Sequence, residues 1–132
     1  MHLTLNCEWQ HYKWGPVTDA KTLMDENNYF YSRAGQLYEK EVDLAEVEQE
    51  LRAQIETALQ QIPQLSHLSF HMGTSVGKPR YKRIVKKLST EFDLPMYLGR
   101  LLPPAFGAQF DFETEAQPYI AKVLDYESHL KT

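Results

Sequence analysis

The chain has 132 residues, 42% hydrophobic and 24% charged, with a formal net charge of −4. That length fits a single domain over residues 1–132 with a modest core, and the acidic balance gives no general attraction to nucleic acid or anionic lipid. A lone cysteine, Cys7, excludes an intramolecular disulfide framework and fits a reducing, cytoplasmic setting. The start, "MHLTLNCEWQ", has no basic segment leading into an apolar one, so no secretion leader is expected. No run of about 18 apolar residues is available to cross a membrane.

"HLTLNCEW" (His2 to Trp9) alternates and is rich in strand formers, which predicts a strand at the start of the chain. Residues 10–41 then form a long aromatic-rich connection. A structureless loop of that length is unusual in a compact domain, and a short helix around Ala34 to Lys40 would relieve it.

Asp43 opens the clearest helix. Asp43 and Glu46 have capping-box spacing, and Leu44, Val47, Leu51, Ile55, Leu59 and Ile62 recur at three- and four-residue steps. Glu48, Glu50, Arg52 and Glu56 fall off that stripe and read as a solvated face. Pro63 ends the helix.

"LSHLSFHM" (Leu65 to Met72), bounded by Pro63 and Gly73, predicts a buried strand. Pro79 suits the first turn of a following helix, whose inward stripe is Tyr81, Ile84, Val85, Leu88 and Phe92. "LPMYLG" predicts another buried strand, followed by a Pro-Pro linker. Glu115 to Leu130 predicts a last helix packing Ile120, Val123, Leu124 and Tyr126. Strands alternating with helices argue for parallel strands joined by crossover helices, an α/β architecture.

In a strand, His67, Ser69 and His71 share one face, and His67 and His71 lie roughly 13 Å apart, too far for one metal ion. His71 sits nearer the carboxyl end of its strand, where ligand sites of α/β sheets gather. It reads either as a ligand or as a core histidine with a satisfied ring nitrogen. His2 lies on another predicted strand, and a parallel neighbour would bring the two imidazoles together. Two imidazoles and a carboxylate make a plausible divalent site. Glu8 has the parity of His2, but six strand residues place it roughly 20 Å away, which argues against a role at the site.

The aromatics Trp9, Tyr12, Trp14, Tyr29, Phe30 and Tyr31 crowd the long connection. They read as a platform for flat sugar faces, with Tyr12, Trp14 and Tyr29 as its candidates, or as the loop's own small core. Lys78, Arg80, Lys82, Arg83, Lys86 and Lys87 put six cations into ten residues. The solvated side of an amphipathic helix accounts for them better than nucleic-acid binding does.

"HLTLNCEW…YKWGPV", "LMDENNYFY", "VEQELRAQIETAL", "SHLSFHMGT" and "PRYKRIVKKLSTEFDLPM" together resemble the YdjC-like carbohydrate deacetylases, in order, over roughly the first hundred residues. The resemblance implies a partial, distorted β/α (TIM-like) barrel. It also implies metal-dependent removal of acetyl groups from N-acetylated sugars such as chitooligosaccharides. His2 and His71 would then be ligands of a divalent metal, Mg²⁺ or Zn²⁺.

Two departures from the family pattern shape the expectation. The family's first strand, with paired aspartates that supply a ligand and the general base, has no counterpart before His2. Its C-terminal histidine, in a "H-P-G" motif, has none after the last predicted helix. Within the retained part, Ser69 and Phe70 stand where the family's H-x-D-S-H pattern has Asp-Ser, so a carboxylate that could orient a ligand is gone. The expectation is a deacetylase homologue with little or no activity as this chain, its catalytic residues unassigned. The alternative is a non-catalytic remnant that binds a sugar or a partner. A partial sheet would leave edges unpaired, which predicts a homo-oligomer.

Overall fold

The computed structural model describes residues 1–97 and the strand pair partner Leu101–Leu102. Within them β1 (His2–Leu3) pairs parallel to β2 (Ser69–Phe70), with His2 opposite Ser69 and Leu3 opposite Phe70. A parallel bridge from Leu68 to Met96 adds β3 (Met96–Tyr97), and β4 (Leu101–Leu102) runs back antiparallel to it. The architecture is mixed α/β with parallel strands. The sheet is open among the described residues, and the predicted helix from Glu115 to Leu130 lies outside them.

Five elements complete the described chain: α1 (Ala34–Tyr38), α2 (Leu44–Gln61), α3 (Pro79–Glu91) and 3-10 turns at Lys21–Leu23 and His71–Gly73. Helix α1 shortens the long connection where the sequence asked for it. Helix α2 buries Val47, Leu51 and Ile55, while Leu44 and Ile62 at its ends are exposed. Pro79 stands in the first turn of α3, whose Tyr81, Ile84, Val85 and Leu88 join α2 in one core with Leu3, Leu5 and Leu68. No described helix is long and apolar enough to cross a membrane.

The strands are much shorter than their alternation suggests. Leu3, Leu5 and Cys7 are all buried, as the period-two pattern requires, yet only His2 and Leu3 belong to the ladder. Beyond them Gln54 takes the Thr4 backbone at both ends: its Oε1 accepts from Thr4 N–H at 3.0 Å and its Nε2 donates to Thr4 C=O at 2.9 Å. Thr4 Oγ1 then donates to Asn6 C=O at 2.8 Å, and the chain turns. The second predicted strand pairs with β1 only at Ser69–Phe70 and with β3 only through Leu68, before a 3-10 turn at His71–Gly73 in which Met72 has φ 51°.

Two expectations about α2 are corrected. Asp43 caps the helix by accepting from Ala45 N–H at 2.8 Å, but Glu46 does not return the bond. Its carboxylate binds Thr22 N–H at 2.7 Å and Thr22 Oγ1 at 2.6 Å, and Asp43 N–H donates to Thr22 Oγ1 instead. Thr22 thus replaces the reciprocal half of the box. Glu50, read as solvated, is fully buried. It accepts from Val17 N–H, Thr18 N–H, Thr18 Oγ1 and Gln54 Nε2 at 2.6–3.1 Å, because the long connection crosses α2 there.

Candidate functional site

The site is built from His2, the first residue of β1, and His71, which directly follows β2. Parallel pairing places His2 beside Ser69, and the chain enters the 3-10 turn at His71 two residues later. The rings of His2 and His71 meet edge to face with centroids 6.2 Å apart. Trp14 also meets the His71 ring, centroids 5.8 Å apart, and Tyr12 tilts over Trp14 at 6.4 Å. A cleft of about 370 Å³ adjoins the site, lined among others by His2, Thr4, Trp14, Glu50, Gln54 and Gln61.

Trp14 reaches His71 because its segment is fastened to the strand exit. Trp14 N–H donates to the buried Cys7 Sγ at 3.2 Å, Cys7 N–H donates to Tyr31 C=O, and Phe30 N–H donates to Trp14 C=O. Gly15 is needed in that packing, since a Cβ there would stand 2.3 Å from Asn28 C=O. The loop aromatics therefore divide. Phe30 is buried, and Trp14 and Tyr31 pack on the core. Trp9 and Tyr12 are exposed, as is Tyr29, and the ring contacts joining Tyr12, Trp14, His71 and His2 do not include Tyr29.

The partners of each imidazole fix its tautomer when the ring is neutral. Ser69 Oγ donates its only proton to Met1 C=O at 3.0 Å, so toward His2 it acts as an acceptor. His2 Nδ1 then carries the proton and Nε2 keeps its lone pair. His71 Nε2 lies 2.6 Å from Glu8 Oε2. An ionised carboxylate only accepts, so Nε2 carries the proton and Nδ1 keeps the lone pair. The bond from His71 is the main reason the Glu8 carboxyl sits below its ordinary range, with partial burial opposing it.

Glu8 at this place corrects the distance argument against it. The roughly 20 Å assumed an extended strand from His2 to Trp9. The turn at Thr4–Asn6 folds the chain back, and buried Asn6 secures it, accepting from Thr74 Oγ1 at 2.7 Å and donating to Met72 Sδ at 3.3 Å. Asn6 was itself the available signal, because asparagine is depleted in strands and favoured in turns.

Two neutral imidazoles, each with one nitrogen engaged and one free, are chemically suited to zinc-class cations more than to Mg²⁺, which prefers oxygen. With metal–nitrogen bonds of about 2.0–2.1 Å, two imidazoles on one tetrahedral ion hold their centroids about 5 Å apart. The observed 6.2 Å needs a closing of about an ångström. The pair offers two nitrogen donors, and among the described residues no three metal-ligating side chains cluster.

The family model for YdjC-like protein matches residues 1–129. A carbohydrate deacetylase from Thermus thermophilus is 33% identical over 111 residues, a match covering 80% of this chain and 41% of that protein. A crystal structure from Enterococcus faecalis, described as a cellobiose-phosphate cleavage protein, superposes with a TM-score of 0.62 at 22% identity. It covers 94% of this chain and 42% of the other, and the likeness is one of fold. The chain thus spans about two fifths of the length of these relatives.

Proposed function

From its place in the YdjC-like family, to which this chain belongs, we propose that it carries the two-imidazole side of a metal-dependent carbohydrate N-deacetylase site. The observation that carries this reading is the meeting of His2 and His71 at the ends of adjacent parallel strands, ring centroids 6.2 Å apart. The relative's function supports it as an expectation for this chain. In a barrel of the deacetylase type, the loops after such strand ends surround the substrate.

His2 Nε2 and His71 Nδ1 are the nitrogens that would hold the ion. When bound, a divalent cation supplies a Lewis acid for the acetyl carbonyl and lowers the pKa of a bound water. The chain's own residues do the rest of what is described here. Ser69 and Glu8 hold the two rings in their tautomers. Trp14 walls one side of His71 and, with Tyr12, offers apolar area to the C–H face of a sugar. Glu8 stands beside the pair but is engaged at the protonated edge of His71, and among the described residues no three side chains are grouped to hold a metal ion. The 132-residue chain alone is therefore expected to release acetate from an N-acetylated chitooligosaccharide no faster than background.

The test is titration of the chain with Zn²⁺, followed by calorimetry. Saturable one-to-one uptake that His2→Ala and His71→Ala each weaken at least about tenfold is expected. Undiminished uptake in the double variant would overturn the reading. The exposed Tyr12 beside Trp14 favours a second possibility, a sugar-binding unit without catalysis. Binding of diacetylchitobiose that survives His2→Ala and His71→Ala but not Trp14→Ala would select it.

A further inference from the structure

The two rings are treated alike: each has one nitrogen bonded to a side-chain oxygen and the other left bare. For His2 that oxygen is Ser69 Oγ, its partner across the β1–β2 register. For His71 it is Glu8, which lies outside every strand and reaches the ring through a turn. We infer that Glu8 is the positioning residue of His71: its carboxylate accepts the Nε2–H hydrogen bond and so leaves Nδ1 as the nitrogen that would hold a cation.

Three observations besides the 2.6 Å bond support this. First, the His71 ring already makes edge-to-face contacts with both His2 and Trp14, and the carboxylate adds the polar bond that those contacts lack. Second, the side chains of His71 and Glu8 are 21% and 31% exposed, although Glu8 as a residue is exposed and the bond lies at the surface. Third, a continuous path of bonds delivers Glu8. Gln54 stops the ladder at Thr4, Thr4 and Asn6 make the turn, and Asn6 ties it to Thr74 and Met72 beside His71. The same bonds that end β1 bring the carboxylate to the imidazole.

The chemistry distinguishes this role from ligation. A carboxylate that accepts from an imidazole N–H raises the basicity of the opposite nitrogen and fixes its direction, the usual outer partner of a metal-bound histidine. An oxygen already 2.6 Å from Nε2 faces the protonated edge of the ring and not the lone pair at Nδ1. Glu8 as a third direct ligand would have to abandon His71.

The inference rests on the metal reading above, and the experiment separates the two. Co²⁺ is the probe, since its visible absorption reports ligand number and geometry where Zn²⁺ is silent. Co²⁺ affinity is expected to fall about 10–100-fold in Glu8→Ala, while Glu8→Gln, whose amide oxygen still accepts from Nε2–H, keeps most of it. The absorption band should keep its shape in Glu8→Gln, and the thermal midpoints of the metal-free variants should match that of the parent. Without metal, proton NMR should show a downfield, exchange-protected N–H correlated to His71 Nε2, absent from Glu8→Ala. If His71→Ala loses Co²⁺ while Glu8→Ala binds like the parent, the positioning role is overturned and the metal reading stands. If Glu8→Gln is as weak as Glu8→Ala with a changed band, Glu8 is a ligand and the role is equally overturned. Failure of the parent chain to take up Co²⁺ would sink the metal reading and the assignment of Nδ1 with it.

Discussion

Glu50 shows how one residue can govern a stretch of chain far from its own helix. Its two carboxylate oxygens collect four donors, three of them from Val17 and Thr18 in the long connection. Through Gln54 the same carboxylate is linked to the Thr4 backbone, so strand exit, loop and helix meet in one network. Replacing Glu50 by alanine leaves those donors without their acceptor, and a cost of about 2–3 kcal/mol is expected, tempered by water that can reach the loop amides. Glu50→Gln keeps one acceptor oxygen and should cost less than half as much. Urea unfolding followed by circular dichroism measures both, and equal midpoints for Glu50→Ala and the parent would contradict the role. Helical periodicity placed Glu50 beside the apolar stripe of Val47, Leu51 and Ile55, which is where α2 puts it. Nothing in the periodicity says that a loop lies over that flank. The same blindness applied to Glu8, whose partner is fixed by a turn and not by a spacing.

Among the elements, the helices were legible and the ladders were not. Helix α2 and helix α3 follow from stripes with an Asp43 cap and a first-turn Pro79, which are local signals. Alternation at Leu3, Leu5 and Cys7 reported burial correctly, but burial alternates whether or not the backbone is paired, so it could not show where side chains take over the backbone bonds. Between the helices runs a charged strip. Arg52 bonds both Glu91, at 2.8 Å through Nη2, and Glu48, while Lys87 bonds Glu48 at 2.7 Å. Lys87 and then Arg52 hold the Glu48 carboxyl below its ordinary value of 4.5, and Arg52 does the same for Glu91. Carboxyls depressed in the folded state stabilise it above pH 4.5, and the benefit is lost as pH falls through their lower folded values. The thermal midpoint should therefore drop on acidification from pH 5, and Glu48→Gln should make that drop shallower. Since the Lys87 side chain is 59% exposed, the Glu48–Lys87 pair is worth under about 1 kcal/mol, and 1 M salt should screen most of it. An acid limb of the same steepness in Glu48→Gln would exclude this strip as its source.

At the scale of the whole molecule, the described sheet runs β1, β2, β3, β4, with β1 on one outer edge. Parallel order from β1 to β3 was readable from the alternation of strands and helices. The antiparallel return of β4 was not, because Leu101–Leu102 was hidden by the proline pair that follows it. An open edge invites another strand unless something covers it. Gln54 blunts β1 at Thr4, where it occupies both backbone groups, but the ladder residues His2 and Leu3 have a strand on one side only among the described residues. Val17 and Trp9, each about three-fifths exposed, add apolar surface on segments that border the strand exit. A homo-oligomer that seats a second copy against this side is the proposed solution state, since a symmetric pair covers the same patch twice at no further cost in sequence. Sedimentation velocity at micromolar concentration should then give the mass of a dimer or larger species. Trp9→Lys, exposed and outside the core, should shift the distribution toward the monomer without lowering the helical content. A folded monomer for the unaltered chain across that concentration range would remove the case for association, and with it any need for a second copy to cover the β1 edge.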